Sequence, residues 1–144
     1  MMGSTRVVLL AATALATSQT AVVAAGDAKK GEKVFRQCQT CHMVGDNARL
    51  KIGPVLNDVF GRKAGTYPKF KYSKINKAAG EAGLIWTPEL VAAYLPDPQK
   101  FLKTFLKEKG QKAPGRTKMS FKLRKKDKVA DVIAYLQQFS KKPE

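Results

Sequence analysis

Val129, Val132, Ile133, Leu136 and Phe139 recur at steps of three and four, the period of one face of an α-helix. This spacing predicts a C-terminal helix that begins near Asp127. Upstream, Leu90, Val91, Tyr94 and Leu95 form a second apolar set. Thr87-Pro88-Glu89 opens it with a capping hydroxyl, a proline at the first helical position and an acid in the first turn. Pro96 ends that helix. Asp97-Pro98 starts another, with Phe101, Leu102, Phe105 and Leu106 on one side, and it dissolves into Lys107-Glu108-Lys109-Gly110. Ser73 reads as the cap of a short helix ending at Gly80. Asp27 reads as the cap of a helix through Lys29–Cys41 that presents Val34 and Phe35. From about residue 45 to 71, Gly53, Pro54, Gly61, Gly65 and Pro68 interrupt any period. No alternating run is long enough for a sheet, so the pattern describes an all-α domain with long loops.

Composition adds one decisive motif. Cys38-Gln39-Thr40-Cys41-His42 holds both cysteines and the single histidine of the chain. Thiols three residues apart lie on one side of a helical turn. Both can then form thioethers to the two vinyl-derived arms of one haem, and the adjacent histidine brings an imidazole nitrogen to the iron. A structural zinc site needs four ligands, and this cluster offers three. A disulfide between the two cysteines would close too short a loop to stabilise much. A thioredoxin-like redox site needs a strand–helix context that these residues lack. The motif implies one covalently bound haem c, attached at Cys38 and Cys41, with His42 on the iron.

The first residues read as a secretory leader. Arg6 is followed by an apolar run from Val7 to Ala16, and Val22-Val23-Ala24-Ala25 precedes Gly26-Asp27. Cleavage after Ala25 leaves a domain at residues 26–144 and places it in the periplasm. A retained anchor is the alternative, although Thr17, Ser18, Gln19 and Thr20 interrupt the about 20 apolar residues a span requires. A chain of this size buries only about two-thirds of its unfolded surface, so a haem would form much of its core.

Charge narrows the partners. The chain carries 27 basic and 11 acidic residues, a net +16, of which Arg6 lies in the leader. Such a charge speaks to encounter and partner choice rather than fold. No helix-turn-helix, zinc-finger or RNA-binding signature accompanies it, and an exported protein rarely meets nucleic acid. Acidic protein surfaces are the expected partners.

The iron's sixth position decides between electron transfer and small-ligand chemistry. Beyond the leader there are two methionines. Met43 follows His42 and cannot reach the opposite face of a porphyrin. Met119 lies in a charged, loop-like stretch outside any apolar helical stripe, so it is the candidate sixth ligand. If no side chain fills that position, the protein would bind small ligands instead.

From Gly26 to Glu144 the chain resembles the class I cytochromes c, and most closely the bacterial cytochrome c2 group. The landmarks run in order: Gly31 and Phe35 before the haem motif, Gly53-Pro54, Phe60-Gly61-Arg62, Tyr72, Asn76, Trp86, Tyr94, Thr117-Lys118-Met119 and Tyr135-Leu136. The resemblance implies the class I cytochrome c fold, helices and long loops wrapped around one haem. It implies that the Pro54 carbonyl accepts the other ring N–H of His42, and that Arg62, Tyr72 and Trp86 hydrogen-bond the inner propionate. Asn76, Tyr94 and Thr117 would form a polar set beside the methionine ligand. Gly31 and Phe35 would pack on Tyr135 and Leu136 where the terminal helices cross.

The chain departs from the family in two places. Val55-Leu56-Asn57-Asp58 stands where asparagine comes first and glycine fourth, and the segment from Pro98 to Met119 is long. The implied function is a monomeric, non-enzymatic one-electron carrier with only peripheral membrane association. Its donor would be a cytochrome bc complex, and its acceptor a photosynthetic reaction centre or a terminal oxidase. Lys118, Lys125 and Lys126 follow the family's docking lysines, with Lys51, Lys63 and Lys122 as weaker candidates.

Overall fold

A computed structural model describes residues 25–141, so the leader lies outside the described residues except for Ala25. Among the described residues there are five helices: α1 (Ala28–Phe35), α2 (Lys74–Glu81), α3 (Pro88–Tyr94), α4 (Pro98–Glu108) and α5 (Lys126–Gln137). Among the described residues there is no strand, only an isolated antiparallel bridge between Lys63 and Ile85. No described helix is long and apolar enough to cross a membrane.

The caps follow the local chemistry. Asp27 accepts from the amides of Lys29 and Lys30, Thr87 from Leu90, and Asp97 from Lys100. These bonds satisfy amides that a helix start leaves without partners. Ser73 stands at the cap position of α2 but makes no capping bond. Its hydroxyl donates to Asn76 Oδ1 at 2.6 Å instead.

α1 is shorter than its periodicity suggests. It stops at Phe35, and the expected continuation to Cys41 is a run of tight turns. Gln37 and Cys38 donate to Val34 and Phe35, three residues back, while Gln39 and His42 donate four back. No glycine or proline marks the change, so the sequence pattern does not reveal it.

α1 crosses α5, α2 packs on α4, and α3 contacts both α4 and α5. Phe35, Ile75, Leu84, Leu102, Leu106 and Val132 are fully buried, each contributing about 1.5–3 kcal/mol relative to exposure. At the α1–α5 crossing a Cβ on Gly31 would strike the Asp131 carbonyl and come within 2.8 Å of Tyr135 Cβ. The Phe35 and Tyr135 rings meet there at 5.3 Å between centroids.

The long loops are held by backbone bonds. Gly61 donates to Trp86 O at 2.7 Å, Trp86 to Arg62 O at 2.9 Å, and Ala64 to Leu84 O at 2.8 Å. This short pairing sets Arg62 beside Trp86. The segment that departs from the family has its own clasps. The Asn57 side chain bonds both the amide and the carbonyl of Gly45, at 2.8 and 2.9 Å. Asp58, at φ +53, donates its amide to Phe139 O and accepts from the Lys141 amide.

Candidate functional site

The turn after α1 presents Cys38, Cys41 and His42 in sequence. Cys38 and His42 are bridged by the His42 amide donating to Cys38 O at 2.9 Å. Both cysteines are free and half-buried. Burial, reinforced by the neighbouring Cys41, pushes the Cys38 thiol up to about 11.

His42 is oriented by its neighbours. Its Nδ1 lies 2.7 Å from Pro54 O. A carbonyl only accepts, so Nδ1 carries the proton and the neutral ring keeps its Nε2 lone pair free. Burial lowers the His42 pKa, opposed by the Pro54 bond. Neutral imidazole is the form that binds a metal. Gly53 lies flat against this ring: a Cβ there would come within 2.5 Å of His42 Cε1. Gly53 also donates to Cys41 O at 2.8 Å, which ties the loop back to the cysteine turn.

Met119 sits at the end of a second network. Its amide donates to Thr117 Oγ1 at 3.2 Å, and that hydroxyl donates to Asn76 Oδ1 at 3.1 Å. The Ser73 hydroxyl donates to the same Asn76 oxygen. The buried Tyr94 hydroxyl engages Thr117 and Asn76, while burial raises its pKa. Asn76, Tyr94, Thr117 and Met119 are thus brought together. Ser73 belongs to the set as well, although its position before a helix points only to a cap.

Arg62, Tyr72 and Trp86 also converge. Arg62 Nη1 donates to Val55 O at 3.0 Å, Nη2 bonds Asn57 O, and the guanidinium lies 4.8 Å over the Tyr67 ring. Burial raises the Tyr72 pKa, and bonding to Tyr67 with the nearby Arg62 charge pulls it back. Trp86 meets Tyr94 edge-on at 4.8 Å between centroids and stacks at 6.0 Å against Phe101. Tyr67 carries no signal in the sequence beyond its type.

Of the basic residues singled out by sequence, Lys118, Lys125 and Lys126 are all exposed. Lys118 is tethered, donating to Lys71 O at 2.5 Å. Lys51 bonds Gln39 O, and Lys122 pairs with Asp97 at 2.6 Å. An open groove of about 600 Å³ between α3 and α4 is lined in part by Asp97 and Phe101, and by none of Cys38, Cys41, His42 and Met119.

The donor set fits a c-type haem. It offers two thiols on one turn, a neutral imidazole locked in one tautomer, and a thioether on a separately anchored strap. It also offers a group of N–H and O–H donors suited to a carboxylate.

Comparison with known proteins agrees. The Cytochrome c family model matches residues 28–140. The chain is 56% identical over 117 residues to cytochrome c2 iso-2 of Rhodospirillum centenum, covering 80% of this chain and 97% of that protein. It is 57% identical over 112 residues to a cytochrome c2 of Rhodopseudomonas palustris, covering 76% and 96%. The solved structure of a Rhodospirillum centenum cytochrome c2 superposes with a TM-score of 0.79 at 55% identity, covering 81% of this chain and all of that one.

Proposed function

This chain belongs to the cytochrome c family, and on that premise we propose that it is a periplasmic shuttle between a cytochrome bc complex and a photosynthetic reaction centre or terminal oxidase. It binds one covalently attached haem c and is an electron carrier, not an enzyme. When bound, the haem supplies a one-electron Fe(III)/Fe(II) couple.

In this reading Cys38 and Cys41 would hold the haem through thioethers, and His42 and Met119 would ligate its iron. Pro54 holds His42 in the tautomer that presents Nε2 to the metal. The same bond makes the ring more electron-rich. Thr117, Asn76, Ser73 and Tyr94 hold the strap that would present the Met119 thioether to the iron. A soft thioether favours Fe(II) and raises the potential. Arg62, Tyr72 and Trp86 are the donors for the inner propionate, which would otherwise be a costly buried charge. Arg62 keeps N–H groups beyond the two bonds it makes to the backbone.

Two side chains capping the iron would exclude oxygen chemistry and leave only electron exchange. Lys118, Lys125 and Lys126 would steer an acidic partner to the site, an effect that fades with salt. The leader would be removed after Ala25, leaving a monomer without an anchor.

The observation that carries this reading is the pair of separately built anchors, Pro54 on His42 beside the cysteine turn and Thr117 on Met119. A potentiometric optical titration of the purified native protein tests it. The expected result is a single one-electron wave at positive potential with the spectrum of a six-coordinate low-spin haem. A five-coordinate spectrum in either oxidation state would refute the methionine assignment. Intact mass beginning at Gly26 plus one haem would support cleavage of the leader, and a mass retaining residues 1–25 would refute it.

A further inference from the structure

After α4 the chain makes an excursion and returns at Gly115, 16 residues beyond Gln99, to the first turn of that helix. The Gln99 side chain marks the point of return. Its Oε1 accepts from the Thr117 amide at 2.8 Å, and its Nε2 donates to Gly115 O at 3.4 Å. An amide N–H requires an acceptor, so the carboxamide orientation follows from the Thr117 bond. One side chain therefore clasps the backbone on both sides of Arg116, three residues before Met119.

The far side of Met119 is pinned to the same turn. Lys122 pairs with Asp97, and Leu123 donates to Leu95 O at 2.9 Å. The Asp97–Lys122 pair is exposed, and such pairs contribute little. Upstream of the thioether the Gln99 clasp acts on the backbone, beside the Thr117–Asn76 bond made by side chains. It separates the placement of Met119 from the length of the excursion between α4 and Gly115.

We propose that Gln99 is a positioning residue for the methionine ligand, and that the first turn of α4 is the seat on which the ligand strap is held. The inference rests on Met119 as sixth ligand. It adds that the closed position of the strap is set by the Gln99 carboxamide. Gln99 is half-exposed and outside the core, so replacing it leaves folding intact.

The test uses imidazole as a competing iron ligand on the ferric holoprotein. Imidazole binds only when Met119 has left, so its apparent affinity reports how readily the strap opens. Gln99→Met keeps the length of the side chain without its polar groups. It should raise imidazole affinity about tenfold, the size of one net hydrogen bond. Gln99→Glu retains the acceptor for Thr117 and should restore affinity to within about threefold of the parent. Asp27→Ala, which removes the α1 cap far from the strap, should lower thermal stability without changing imidazole affinity. Amide exchange at Thr117 should accelerate in Gln99→Met alone.

Unchanged imidazole affinity in Gln99→Met, with strong binding in Met119→Ala, would overturn the role of Gln99 and leave the ligand assignment standing. A Met119→Ala variant that matches the parent in both spectrum and imidazole affinity would overturn the assignment itself, and the proposal with it.

Discussion

Replacing Gly53 by alanine adds one methyl group at the most crowded point behind His42. That carbon would stand 2.5 Å from His42 Cε1, 2.8 Å from Nδ1 and 3.0 Å from Nε2. Contact with a ring at these distances cannot be absorbed in place, so either the imidazole or the loop has to move. The loop has little freedom, because Gly53 donates to Cys41 O at 2.8 Å and Pro54 follows with a fixed φ. The ring therefore tilts, and the 2.7 Å bond to Pro54 O is lost or lengthened.

Overpacking a tight site costs about 1–3 kcal/mol, and the lost hydrogen bond adds about 0.5–1.5 kcal/mol. The sum, roughly 2–4 kcal/mol, corresponds to a fall in Tm of roughly 8–16 °C at about 4 °C per kcal/mol for a chain of this length. A less electron-rich imidazole also stabilises Fe(III) less, so the potential should rise. Thermal unfolding by circular dichroism and a redox titration of Gly53→Ala measure both. A Tm within about 2 °C of the parent together with an unchanged potential would refute the reasoning.

Gly31→Ala drives a methyl into the Asp131 carbonyl at the α1–α5 crossing. It should cost at least about 1–3 kcal/mol in urea titration while leaving the optical spectrum unchanged. Asp58 holds a left-handed φ and accepts from Lys141. Asp58→Ala keeps the strain and loses the bond, a cost of about 1 kcal/mol. Asp58→Gly relieves the strain as it loses the bond, so it should be close to neutral by the same titration. Lys122 holds the Asp97 carboxyl below the usual carboxylate range, and the Lys30 and Lys29 amides do the same for Asp27. A depressed folded value means stability that is present above the ordinary pKa of about 4 and is lost as pH falls through the folded value. Urea titrations should find Asp97→Asn less stable than the parent near neutrality, with the gap closing below about pH 4.

Features encoded by adjacent residues are legible in the chain. Thr87-Pro88-Glu89 and Asp97-Pro98 announce α3 and α4 because capping uses groups two or three residues away. The apolar stripe of α5 is equally plain. The haem motif is legible because its chemistry is concentrated in five residues.

Roles that depend on distant partners are harder to read. α1 stops at Phe35 rather than Cys41 because the backbone tightens there without any punctuating residue. Ser73 looks like a helix cap and instead completes the bonds of Asn76. The resemblance points Arg62 at a propionate but says nothing of its bonds to Val55 and Asn57. Gln99 is an ordinary helix residue until the chain returns 18 positions later to meet it. Asp58, which stands where the family has glycine, becomes intelligible once its left-handed φ and its bond from Lys141 are seen.

Acid–acetone extraction of the purified native protein, followed by its absorption spectrum, tests the two thioethers most directly. The colour should remain with the precipitated polypeptide if Cys38 and Cys41 carry the thioethers, as proposed. Pigment that passes into the organic phase, or a protein with no visible absorption at the outset, would contradict the assignment of those two thiols.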